Sequence, residues 1–125
     1  MTKVVLQSVL IMLGLTFIGS VYGHPATERY IPIGYWVSVA DGYTYMGEIK
    51  SHDAAVQSMT VEGSSGYKTV AITKQTKVWL DRSELKLTNL KGSYSDCREG
   101  RTVEVKFKDD SDTEAEWVKV RITTR

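Results

Sequence analysis

The sequence predicts an all-β protein built as a single small antiparallel barrel of about six strands. Three observations point there. Short runs rich in β-branched and aromatic residues alternate with glycine, serine and aspartate clusters at close spacing, which is the pattern of a sandwich or barrel. Within the clearest runs, apolar residues recur at every second position, and no helical period competes with them. The only cysteine is Cys97, so no internal disulfide can form and stability must come from a packed core. A closed or nearly closed sheet supplies that core and removes exposed edges.

Each strand has its own justification. Residues 43–49 follow the Asp41-Gly42 turn signal. Residues 56–61 place Val56, Ser58 and Thr60 on one face and Gln57, Met59 and Val61 on the other. Gly63-Ser64-Ser65-Gly66 makes a hairpin loop, and residues 67–73 return with Val70 and Ile72 on one face. Residues 76–80 form a short strand holding Val78 and Leu80. A looser region, 81–100, carries Leu85, Leu87 and Leu90 as core caps, with one helical turn expected near residues 96–99. Residues 101–108 alternate most cleanly, with Val103, Val105 and Phe107 inward and Glu104, Lys106 and Lys108 outward. After the acidic turn Asp109-Asp110-Ser111-Asp112, residues 114–123 put Val118, Val120 and Ile122 inward. Lys119, Arg121 and Trp117 therefore face outward, and a tryptophan on an outer face calls for something to cover it.

The chain divides into a signal peptide (1–23), an amino-terminal extension (24–42) and the barrel domain (43–125). Lys3 precedes an apolar run from Val4 to Ile18, and Val21-Tyr22-Gly23 fits a small-residue cleavage site. The run is shorter than a spanning helix needs, and no basic stop-transfer cluster follows it. Cleavage after Gly23, with a cut after Ser20 as the alternative, leaves His24 as the new terminus, places the protein in the periplasm or outside the cell, and retains no stable membrane anchor. The charges almost cancel, with 16 Lys+Arg against 15 Asp+Glu. A balanced, interspersed surface argues against nucleic acid as a partner.

The order Gly47-Glu48-Ile49, Met59-Thr60-Val61 and Thr76-Lys77-Val78 leads to Asp96-Cys97-Arg98-Glu99-Gly100 and then Val103-Glu104-Val105. With the closing strand 115–122, this series resembles the small exported bacterial domains grouped as DUF5666. The resemblance covers residues 43–122 and implies an OB-like barrel in an exported binding or structural module. It implies no catalytic residues. Cys97 stands where the family pattern has a leucine, which favours a small buried plug near one end of the barrel over the alternatives of a reactive thiol, a metal ligand or an intermolecular disulfide partner.

No nucleophile elbow, phosphate loop or paired-cysteine zinc pattern is present, and the chain reads as a non-enzymatic binding or assembly module without a cofactor. The candidate ligand or partner contacts are aromatic: Tyr35, Trp36, Tyr43, Tyr45 and Trp117. Barrels of this kind bind extended ligands by stacking on such rings. The alternative is a copper protein, in which the amine and imidazole of an amino-terminal His24 chelate the metal with His52 as the second histidine. Residues 24–40 are too apolar to stand in water, with Ile31, Ile33, Trp36, Val37 and Val39. Their second half reads as an extended strand. It docks within its own subunit by default, and docking on a neighbour would be a route to homo-oligomers.

Overall fold

The computed structural model describes residues 28–35 and 44–124. The leader, its cleavage site and His24 lie outside the described residues, as do Trp36, Tyr43 and all but the first residue of the strand expected over 35–40.

The described residues are all-β apart from two short 3-10 turns, Ser83–Leu85 and Tyr94–Asp96. Seven strands form one sheet: β1 (Tyr45–Asp53), β2 (Ser58–Gly63), β3 (Gly66–Ala71), β4 (Lys77–Asp81), β5 (Leu90–Lys91), β6 (Thr102–Phe107) and β7 (Ala115–Arg121). Their order is β3-β2-β1-β6-β7-β4-β5. Every neighbouring pair is antiparallel except β4 and β7, which run parallel. Residues 72–76 join β3 to β4, so two strands well apart in the sheet order are consecutive in sequence. The sheet curls between them. Ala71 pairs with Glu114 in one parallel bridge, and its N–H donates to Thr113 O at 2.8 Å. The result is an OB-like barrel that does not close through a continuous ladder.

The core lies inside the curl. Ile49, Val61, Val70, Val103, Val105, Val118 and Val120 are fully buried there, with Met59, Phe107 and Cys97 beside them. These are the alternating inward positions of the sequence pattern, so period-two burial builds the barrel. Gly47 and Gly63 sit directly opposite each other in the β1–β2 ladder. A Cβ on Gly47 would run into the Glu62 carbonyl, and one on Gly63 into the Met46 carbonyl and the Tyr45 ring. Only glycine lets the two backbones approach there.

Several expectations need correction. Residues 90–91 form a seventh strand inside the loose region, too short to show a period. Leu90 does not cap the core; it is among the exposed large apolar residues, while Leu80 and Tyr94 pack against the core instead. β1 runs on past residue 49 to Asp53, so the first strand is longer than expected and His52 lies within it. The turn is residues 54–57, which leaves Val56 exposed outside β2. It needs a left-handed residue, and Gln57 supplies it at φ 49°. The 3-10 turn falls at Tyr94–Asp96, two residues early, because Ser93 and Asp96 form a reciprocal capping box.

Candidate functional site

A short strap crosses the outer face of β6, β7 and β4. Residues 28–35 fold as two successive turns, closed by Ile31 N–H to Glu28 O and Tyr35 N–H to Pro32 O, each 3.1 Å. Gly34 has φ 84°, the value a type II turn demands at its third position. Pro32 cannot donate a backbone hydrogen bond, and the turn uses its carbonyl instead.

The surface beneath the strap carries an unusual set of side chains. Trp79 on β4 and Trp117 on β7 meet with ring centroids 5.6 Å apart and planes tilted by 35°. Lys119 follows two positions after Trp117, and its Nζ lies 4.6 Å from that ring's centroid. Glu104 on β6 is cross-strand from Lys119, and Asp81 ends β4 cross-strand from Arg121. Trp79, Asp81, Glu104, Trp117 and Lys119 are all buried, although none points into the core.

The strap satisfies these groups one by one. The Glu28 carboxylate pairs with Lys119 Nζ at 3.2 Å, and both side chains are shielded from water. The Ile33 N–H donates to Asp81 Oδ2 at 2.8 Å, and the Gly34 N–H donates to Glu104 Oε1 at 3.2 Å. Thr44, just before β1, donates its hydroxyl to the other Glu104 oxygen at 2.7 Å. Asn89 fastens the strap from the side: its amide donates to Arg29 O at 3.0 Å and its Oδ1 accepts from Arg82 N–H at 2.8 Å. The Ile33 side chain is buried with this set, while Tyr30 and Tyr35 remain exposed.

Two opposing influences act on Asp81. Burial alone would raise its pKa, but hydrogen bonds from Ile33 N–H and Ser83, with the Arg121 charge nearby, together hold it below the ordinary carboxylate value. Asp81 therefore accepts the strap as a carboxylate. The strap thus lies on a seat of buried polar groups: a cation that needs a carboxylate, two carboxylates that need hydrogen-bond donors, and a pair of tryptophans.

Among the described residues selected from sequence (Tyr35, Tyr45, His52 and Trp117), Trp117 is the one that lies in this seat. Tyr45 is buried with the core, its hydroxyl donating to Gly66 O and accepting from Gly63 N–H at 3.1 Å. Tyr35 is exposed at the end of the strap. His52 is exposed near the end of β1, and among the described residues no group of three or more His, Cys, Asp or Glu is placed to hold a metal ion. Cys97 is buried, and burial first, then the Asp96 charge, pushes its thiol up to about 12 against the opposing pull of Arg101. Sequence reasoning missed Glu28, Asp81, Asn89, Glu104 and Lys119 as seat residues. The available signal was the outward Trp117, which required a cover.

A separate cleft of about 440 Å³ opens between residues 72–76 and 91–95, with Ile72 and Val78 in its lining. Its hydroxyls already have local partners. Thr76 Oγ1 accepts from Thr73 N–H, Ser93 and Ser95 bond each other, and the Tyr94 hydroxyl donates to Ser58 O.

Comparison with known proteins adds the following. No protein-family model matches the chain, and no curated protein matches it. Two solved structures are similar in fold. One is a copper(II) form of a tryptophan-to-alanine variant of CusF from Escherichia coli, with 16% identity over 62% of this chain and 88% of that one, at a TM-score of 0.44. The other is silver(I)-bound CusF, with 16% identity over 62% of this chain and 95% of that one, at a TM-score of 0.43. A likeness this distant transfers no ligand. Among the described residues, no helix is long and apolar enough to cross a membrane.

Proposed function

We propose that this protein is an exported, non-enzymatic binding or assembly module, and that its recognition face is the outer surface of β6, β7 and β4. The DUF5666 resemblance and the leader belong to this reading. The observation that carries it is the chemistry of the seat. Four ionisable side chains, Glu28, Asp81, Glu104 and Lys119, are buried outside the core, where an apolar contact would have been simpler. Each is matched by a specific partner. Such matching recognises a peptide by one carboxylate and two backbone N–H groups in a fixed order, which a purely structural cover does not need.

The test uses the full chain carrying Glu28→Lys, whose own strap no longer matches Lys119. A labelled peptide copying residues 24–36 is titrated and followed by fluorescence anisotropy. Saturable binding, lost when the chain instead carries Lys119→Glu, supports the reading. Equal, non-saturating signals for both variants would make the strap a structural cover and nothing more.

A further inference from the structure

We infer that the seat on β6, β7 and β4 also accepts residues 28–35 of a second copy of this chain, so that two molecules can exchange straps. This rests on the reading of that face as a peptide-recognition seat and names its partner.

Every described polar contact between strap and seat involves residues 28–34: Glu28 with Lys119, the Arg29 carbonyl with Asn89, and the Ile33 and Gly34 amides with Asp81 and Glu104. None of the seven strands pairs with this stretch. The barrel ladders therefore stay intact whichever molecule supplies the strap. Residues 36–43 connect it to the barrel, and eight residues span at most about 29 Å. A tether of that length permits crossing to an adjacent molecule, and the same contacts then re-form without any new surface.

Selectivity for a second copy comes from register. Lys119 needs a carboxylate, and Asp81 and Glu104 need N–H donors five and six residues further on. A left-handed glycine must sit at the second donor, because Gly34 turns there at φ 84°. This combination is carried by Glu28, Ile33 and Gly34 in the chain itself. Reciprocal exchange uses the same two surfaces on both molecules, so it closes as a twofold dimer and does not propagate into a fibre. The chain connection makes docking of the molecule's own strap intramolecular, so the monomer dominates in dilute solution. Exchange dominates when docking within the chain is disabled.

Charge reversal disables it selectively. Full chains carrying Glu28→Lys alone and Lys119→Glu alone each place like charges together when they dock on themselves. Mixed, each supplies the strap that the other's seat requires. Sedimentation velocity of the equimolar mixture is expected to show a species of doubled mass that neither variant forms alone. A third chain carrying both changes should recover the parental thermal midpoint, which shows that the reversed pair can be accommodated in the fold. A mixture that stays monomeric while the double variant recovers would overturn strap exchange. If the peptide of residues 24–36 still binds in that case, the recognition seat itself survives. A double variant that does not recover, with a peptide that does not bind, would sink both the exchange and the reading beneath it.

Discussion

The inside of the barrel and its strapped outer face are equally dry and chemically opposite. Ile49, Val61, Val103, Val105, Val118 and Val120 fill the interior with aliphatic carbon and make no demand on partner geometry. Outside, on β4, β6 and β7, Asp81, Glu104 and Lys119 are also buried but are held by individual hydrogen bonds and an ion pair. Val118 and Val120 face in, and Lys119 between them faces out into the seat. Apolar burial drives the chain to fold; each buried ionic group demands a matched partner.

The largest expected effect falls on the barrel side of this comparison. Gly47→Val has no room against the Glu62 carbonyl and must break the β1–β2 ladder. It should cost more than about 4 kcal/mol and leave little folded protein, as read by circular dichroism. Folded Gly47→Val protein with an unchanged thermal midpoint would refute the close approach.

Next comes the seat. Lys119→Ala leaves Glu28 buried without its cation and should cost about 3–5 kcal/mol in chemical denaturation. Joint replacement by Lys119→Met and Glu28→Leu should cost less than either single change, because no orphaned charge remains. A larger loss in the double variant would contradict the ionic description of the seat.

Acid gives a smaller, local effect. The folded pKa of Asp81 lies below its ordinary value of 3.8, so its stabilising contribution is full above that value and is lost as pH falls further through the folded pKa. The tryptophan fluorescence should therefore shift below about pH 3.8 before the barrel's far-ultraviolet dichroism is lost. Simultaneous loss of both signals would make strap and barrel one cooperative unit.

The smallest effect is expected at Cys97, where a leucine should be tolerated within about 1.5 kcal/mol. The wild-type thiol, buried and with its pKa pushed up to about 12, should resist a bulky thiol reagent at pH 8. Rapid labelling of native protein would contradict that burial.

The barrel was legible in the sequence because its rule is local. Val103, Val105 and Phe107, or Val118 and Val120, declare an inward face by alternation alone. The seat was not legible because its partners are separated by up to 91 residues, as Glu28 and Lys119 are. A lysine at an outward strand position reads as solvated unless the cover is known. Trp117 gave the one hint, and Ile33, too apolar for a free tail, gave its counterpart. The strap docks through turns and side chains over residues 28–35, a geometry that alternation cannot reveal. β5 escaped for a different reason, since two residues carry no period.

The account turns on whether the strap is seated in solution, and the Ile33 amide reports this most directly. Its N–H donates to buried Asp81 at 2.8 Å. Amide hydrogen exchange followed by NMR should therefore show Ile33 exchanging orders of magnitude more slowly than an unstructured peptide. Lys119→Ala should release that protection while the Val103 and Val105 amides keep theirs. An Ile33 amide that exchanges at the unstructured rate in the wild-type protein, with the barrel amides protected, would contradict the seated strap.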